Sequence, residues 1–227
     1  MKEISPLQGP FVCADTPTSI ENIIVMLHGY GSNGQDLIQI GNQWKNQFPK
    51  FCFSAPNAPL NLNKISSSYM WFDVYPEGIP IDQASEKQKL KTKNDFIKSC
   101  ELLEQHIYFL SEKYNLSLNK FFLLGFSQGS MMSIEVGSKL KESIAGIISL
   151  SGRVYTEDFN QINRNKSPVL VVHGDKDDII KVHRFEETCQ ILEKSGYNIE
   201  KHLIKNMGHT INYNVIEICK NFVSIHM

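Results

Sequence analysis

Uninterrupted apolar runs, not alternating ones, set the pattern of this chain. Ile23-Ile24-Val25-Met26-Leu27, Phe121-Phe122-Leu123-Leu124 and Val169-Leu170-Val171-Val172 contain no polar position. Parallel strands covered on both faces read this way. Ala145 to Leu150 reads as a fourth such strand, and Phe51-Cys52-Phe53 and Ile199 to Ile204 as a fifth and sixth. Helical stripes lie between them. Phe96, Cys100, Leu103, Ile107, Leu110 and Tyr114 step by four and three, as do Ile211, Val215, Ile218, Phe222 and Ile225. Gly129, Ser133 and Gly137 put small residues on one helix face, so that helix can lie close to a sheet. Strands alternating with helices predict an α/β fold, a doubly wound, mostly parallel sheet with helices on both faces.

No repeat, low-complexity segment or linker divides the 227 residues, which suit a single domain spanning 1–227. One stretch breaks the pattern. From Pro56 to about Thr92 the chain carries Pro56, Pro59, Pro76 and Pro80 among Asn, Ser and Gly, and predicts a long irregular loop on the substrate side. Within it stands the apolar group Tyr69-Met70-Trp71-Phe72. Lys87, Lys89, Lys91 and Lys93 recur every second residue and read as a solvated face. Attraction to anionic lipid is the competing reading.

A formal net charge of −1 gives no reason to expect a nucleic-acid partner. The five cysteines, Cys13, Cys52, Cys100, Cys189 and Cys219, show no close pairing and read as free thiols in a reducing compartment. The first twenty residues lack a signal-like apolar core, and no run is long enough to span a bilayer. These features predict a cytoplasmic protein with no stable membrane insertion.

Candidate chemistry centres on Gly125-Phe126-Ser127-Gln128-Gly129. A chain of this length holds Gly-x-Ser-x-Gly by chance in roughly one case in fifteen, so context carries the inference. An apolar strand runs into it and a helix follows, the setting of a nucleophile elbow. A serine hydroxyl needs a histidine to take its proton and a carboxylate to hold that histidine. In this kind of sheet both should follow strands, in the order Ser, acid, His. After Val169–Val172 comes His173-Gly174-Asp175-Lys176-Asp177-Asp178, with three candidate acids that spacing does not separate. After Ile199–Ile204 comes Lys205-Asn206-Met207-Gly208-His209. His106 reads as a surface or boundary residue in a helix, His173 as a local packing residue, and His28 as an organiser of its loop. The position of His209 fits the base. Oxyanion donors are expected at the backbone N–H of Gln128, after the nucleophile, and of Tyr30 in Leu27-His28-Gly29-Tyr30-Gly31.

These blocks resemble the carboxylesterase/phospholipase family of α/β hydrolases, which includes bacterial serine esterases and acyl-protein thioesterases. The resemblance runs from Leu7-Gln8-Gly9-Pro10 almost to the end. It also includes Asp36-Leu37-Ile38, Ala55-Pro56-Asn57-Ala58-Pro59 and Trp71-Phe72-Asp73. The resemblance implies Ser127 as nucleophile, His209 as base and Asp177 as acid, with Tyr30 and Gln128 as oxyanion amides. Trp71 and Phe72 would line the acyl or alcohol pocket, with plain core packing as the competing reading. Two departures are Lys181, near a common proline, and Ser130, where alanine or glycine is usual.

The expected activity is hydrolysis of short- to medium-chain acyl esters through an acyl-enzyme, with no metal or cofactor. Long-chain hydrolysis, as an acyl-protein thioesterase or lysophospholipase, is the alternative. A catalytically silent binding module is an alternative of another class. The expected partner is a small acyl ester or thioester, and a homodimer through exposed apolar loop residues is a further expectation for such an enzyme.

Overall fold

The computed structural model describes residues 4–14, 19–62, 67–156, 159 and 165–227. The elements in chain order are β1 (Phe11–Cys13), β2 (Asn22–Leu27), α1 (Gly34–Trp44), β3 (Phe51–Ser54), β4 (Leu60–Asn61) and β5 (Tyr69–Met70). They continue with α2 (Glu86–Tyr114), β6 (Phe121–Phe126), α3 (Gln128–Lys139), β7 (Gly146–Leu150), β8 (Val169–Gly174), α4 (His183–Lys194), β9 (Ile199–Ile204) and α5 (Tyr213–His226). Seven strands form one sheet in the order β1-β3-β2-β6-β7-β8-β9. Every neighbouring pair is parallel except β1 with β3.

The apolar runs are continuous because both faces of the sheet are covered. Ile23, Val25, Leu27, Phe121 and Leu123 point into a core shared with Leu103 and Ile107 of α2, Met132 of α3 and Leu192 of α4. Ile24, Met26, Phe122 and Leu124 point the other way, against Leu37 and Trp44 of α1 and Val215 and Phe222 of α5. Side chains alternate in direction but not in polarity. From β2 the chain moves to β3 on one side. It then crosses back through α2 to β6 on the other side. The crevice at such a switch of direction, beyond the carboxyl ends of β2 and β6, is where open α/β sheets bind ligands.

The irregular stretch is shorter than the sequence suggests. Helix α2 begins at Glu86, not after Thr92, because Ser85 and Gln88 form a reciprocal cap. The Gln88 N–H donates to Ser85 Oγ at 3.4 Å and the Ser85 N–H donates to Gln88 Oε1 at 2.9 Å. Lys87, Lys91 and Lys93 are exposed on its first turns, and Lys89 pairs with Glu86 at 2.9 Å.

Two expectations need correction. Cys13 and Cys52 are not free thiols. They stand opposite each other on β1 and β3, with Cα atoms 4.3 Å apart, and form a disulfide. The antiparallel pairing of β1 brings them together across 39 residues. Cys100, Cys189 and Cys219 are in no disulfide, and burial pushes the Cys189 thiol up to about 11. Nor does His106 lie at the surface. It is buried beneath the N-terminal segment, with Nδ1 2.6 Å from Ser5 Oγ and Nε2 3.0 Å from Ser54 Oγ. The Ser5 hydroxyl donates to the Leu7 carbonyl at 2.7 Å, so it accepts from Nδ1–H, and Nε2 accepts from Ser54. Both ring nitrogens are satisfied in the neutral form, and burial lowers the His106 pKa to about 4.

Thiol titration under denaturing, non-reducing conditions should count three thiols per chain, and five after reduction; five before reduction would contradict the bond. Replacing Cys13 and Cys52 by serine should cost about 2–4 kcal/mol in urea unfolding. The buried His106 makes a separate prediction. Its folded pKa lies below the unfolded value of about 6.5. Between those values only the unfolded chain takes up the proton, so stability falls as pH drops through that window. The His106 share should be about 2 kcal/mol between pH 7 and 5. His106→Gln should flatten the pH slope of urea unfolding by that amount, and an unchanged slope would refute the assignment.

Candidate active site

Ser127 terminates β6 and opens α3 with φ 55° and ψ −116°. A non-glycine residue rarely takes positive φ, and the surrounding contacts hold it there. The Ser127 N–H donates to the Leu150 carbonyl of β7 at 2.9 Å. A Cβ on Gly125 would lie 2.1 Å from the Gly129 carbonyl oxygen, and one on Gly129 would lie 2.0 Å from the Leu27 carbonyl oxygen. Both glycines are therefore steric necessities of the turn. Ser130 fits because its hydroxyl meets that of Ser149 at 2.6 Å. The space beside it is left by Gly152, whose Cβ would lie 2.3 Å from Ser130 Oγ.

The loop after β2 rests on this turn. A Cβ on Gly29 would be 3.3 Å from Ser127 Cβ. The Gly31 N–H donates to the Tyr69 carbonyl at 2.8 Å, and the Ser32 N–H donates to the Gly29 carbonyl at 3.2 Å. Among the described residues the Tyr30 amide has no partner of this kind. The Gln128 amide stands at the first position of α3, where N–H groups have no intrahelical acceptor and the helix end is positive.

Of the three acids, the structure brings Asp177 to His209. Asp177 Oδ2 is 2.8 Å from His209 Nδ1, and its other oxygen accepts the Ile179 and Ile180 N–H groups at 3.0 and 2.8 Å. Asp175 instead accepts the Asn206 N–H at 2.7 Å, and Asp178 is exposed. With its Nδ1 proton on Asp177, His209 keeps Nε2 available. Its ring lies 4.8 Å, centroid to centroid, from Phe126, the residue before Ser127. The two loops are closely joined: a Cβ on Gly174 would strike the Met207 carbonyl at 2.1 Å. His173 packs locally as expected, with Nε2–H on the Ile180 carbonyl at 2.7 Å, and burial lowers its pKa.

Trp71 and Phe72 do not line an open pocket. Both are 0% exposed. Phe72 packs against Phe96 and Tyr155, with centroids 5.2 and 4.6 Å away. Their backbone instead holds the Gln128 side chain: the Trp71 N–H donates to Oε1 at 2.8 Å and Nε2 donates to the Phe72 carbonyl at 2.7 Å. The sequence did not announce this network or its extensions. Ser99 Oγ–H donates to the Trp71 carbonyl, the Trp71 indole N–H donates to the His28 carbonyl at 3.0 Å, and the Ala58 N–H donates to His28 Nε2 at 3.0 Å. His28 Nδ1–H turns to the Gly29 carbonyl at 2.8 Å, and burial lowers the His28 pKa, so the ring is a neutral organiser. The apolar-run signal reads Trp71 and Phe72 only as buried or ligand-facing. Among the described residues no group of three His, Cys, Asp or Glu could hold a metal ion, and no helix is long and apolar enough to cross a membrane.

Residues 11–227 match the family described as phospholipase/carboxylesterase. Acyl-protein thioesterase 1 of Candida albicans is 29% identical over 224 residues, covering 91% of this chain and 94% of the relative. The crystal structure of esterase PE8 matches with a TM-score of 0.86 at 31% identity, over 97% of this chain and 99% of that one. The Bacillus cereus carboxylesterase shares the fold at a TM-score of 0.75 and 17% identity, over 96% and 93% of the two chains. The chain belongs to the phospholipase/carboxylesterase family of α/β hydrolases.

Proposed function

We propose that this protein is a serine carboxylic-ester hydrolase acting through Ser127, His209 and Asp177. The observation that carries the reading is the Asp177–His209 hydrogen bond of 2.8 Å, made by a buried carboxylate that two further amides hold in place. Asp177 fixes the imidazole with Nε2 free. In this reading Nε2 removes the Ser127 proton as Oγ attacks the acyl carbonyl. The Tyr30 and Gln128 amides receive the oxyanion. The alcohol leaves with the proton from His209, and water, activated by the same ring, releases the acid. No metal or cofactor is required by these steps.

Short- to medium-chain acyl esters are the proposed substrates. The burial of Trp71 and Phe72 supports this, since it takes from the acyl or alcohol pocket two large apolar side chains that a long chain could have packed against. A second reading, a long-chain acyl-protein thioesterase, is supported by the similarity to the Candida albicans enzyme. Three cysteines outside any disulfide support the expected cytoplasmic placement, and the Cys13–Cys52 bond weighs against it.

Hydrolysis of p-nitrophenyl esters from acetyl to palmitoyl tests these readings. The wild type should prefer chains of up to about eight carbons; a palmitoyl optimum would favour the second reading. Ser127→Ala should lower kcat on the order of 10⁶-fold. Asp177→Asn should lower it on the order of 10⁴-fold, and Asp175→Asn far less. Equal turnover by Ser127→Ala would overturn the nucleophile assignment.

A further inference from the structure

Arg153 follows directly on the backbone that supports the nucleophile. A Cβ on Gly152 would lie 2.8 Å from the Ser127 carbonyl oxygen, and Arg153 is one residue further, about 3.8 Å along the chain. The next amide, of Val154, is anchored to α4 through Thr188 Oγ1 at 3.1 Å, so this segment is fixed at the carboxyl end of β7. The guanidinium lies over the Tyr155 ring, 5.2 Å from its centroid. That ring packs in turn on Phe72 and Phe96, at 4.6 and 4.8 Å. The platform is thus continuous with the residues that hold Gln128.

No carboxylate of the described residues pairs with Arg153. Among the described residues Glu187 is the carboxylate whose charge favours the guanidinium, and that side chain is already bonded to Arg184 at 2.8 Å. Burial and the Arg184 charge both act against the charged form of Arg153. A half-buried guanidinium with no anion among the described residues is an unfavourable arrangement. It is also a fixed, planar donor set matched to the two oxygens of a carboxylate or phosphate.

We propose that Arg153 is a specificity residue that binds an anionic group, carboxylate or phosphate, on the ester substrate attacked by Ser127. The proposal rests on the serine-hydrolase reading above and narrows its substrates to acyl esters carrying such a group. Attraction to the guanidinium would orient the ester in the crevice before attack.

The test compares anionic with neutral esters: mono-p-nitrophenyl adipate against p-nitrophenyl hexanoate for the acyl side, and 4-acetoxybenzoate against phenyl acetate for the leaving group. Each is measured with the wild type, Arg153→Met, which keeps an aliphatic stem on Tyr155, and Arg153→Lys. For at least one pair the anionic-to-neutral ratio of kcat/KM should fall about tenfold or more in Arg153→Met, with part of it kept in Arg153→Lys. Both ratios within twofold of the wild type would overturn the proposal. A thermal-shift series with adipate, and another with inorganic phosphate, reads the same site without turnover. A rise in Tm with either anion that is lost in Arg153→Met supports the proposal; an equal rise, or none with either anion, counts against it. If the wild type cleaves no ester, the hydrolase reading falls, and the thermal shift still decides whether Arg153 binds anions.

Discussion

The site depends on the absence of a side chain at Gly129. The first turn of α3 sits so close to the end of β2 that a single carbon there would lie 2.0 Å from the Leu27 carbonyl oxygen. Gly125 makes the same allowance on the preceding strand. With the helix drawn in, Ser127 has no route between strand and helix except the positive-φ turn it occupies. Such a backbone costs on the order of 1–3 kcal/mol and persists only where its surroundings over-determine it. Here the Leu150 carbonyl and the Gly29 loop supply that constraint. The same close approach sets the loop after β2 against the serine, where a Cβ on Gly29 would be 3.3 Å from Ser127 Cβ.

A second layer of order comes from buried polar groups that must find partners. Gln128 is 2% exposed, so leaving either end of its amide unbonded would cost about 1–3 kcal/mol. The Trp71 and Phe72 backbone satisfies both ends. This requirement makes an irregular segment rich in proline behave as a fixed wall. It also explains the burial of the aromatic pair, whose main chain is held against α3 while the Phe72 ring packs on Phe96 of α2 and the Trp71 indole reaches the His28 carbonyl. The His28 ring completes the layer from the β2 side by bonding Ala58 and Gly29. Three loops distant in sequence are thereby locked to one another before any substrate arrives.

Central strands were legible in the sequence because burial on both faces leaves no polar interruption. Helix α3 was legible because small residues recur every fourth position. Strand β1 was not. It has three residues, and its place is set by pairing with β3, a contact local pattern does not carry. For the same reason the cysteine spacing gave no sign of the Cys13–Cys52 bond. The start of α2 was written in Ser85 and Gln88, but the surrounding prolines and lysines masked that signal. Ser127 and His209 were legible from their order after strands. The separation of Asp177 from its two neighbours came from a resemblance, and its geometric basis lies in the turn at Ile179 and Ile180. Whether an apolar residue faces a ligand or the core is not encoded in its type, so Trp71 and Phe72 could be assigned only by packing.

The charges at the mouth of the crevice are balanced unevenly. Asp177 accepts from two amides and the His209 Nδ1–H, and His173 Nε2 lies 3.5 Å from it. His173 does not compete for the carboxylate, because its Nε2 proton is committed to the Ile180 carbonyl and burial disfavours its charged form. In the proposed mechanism that carboxylate holds the His209 ring in place while it takes the serine proton. His28 is likewise neutral, its Nε2 accepting the Ala58 N–H while burial lowers its pKa. Arg153 alone among these groups carries a charge that the described protein leaves unanswered. A fold that satisfies Gln128, His28 and Asp177 so fully, and gives the Arg153 guanidinium an aromatic face but no carboxylate among the described residues, supports the proposal that an anion binds there.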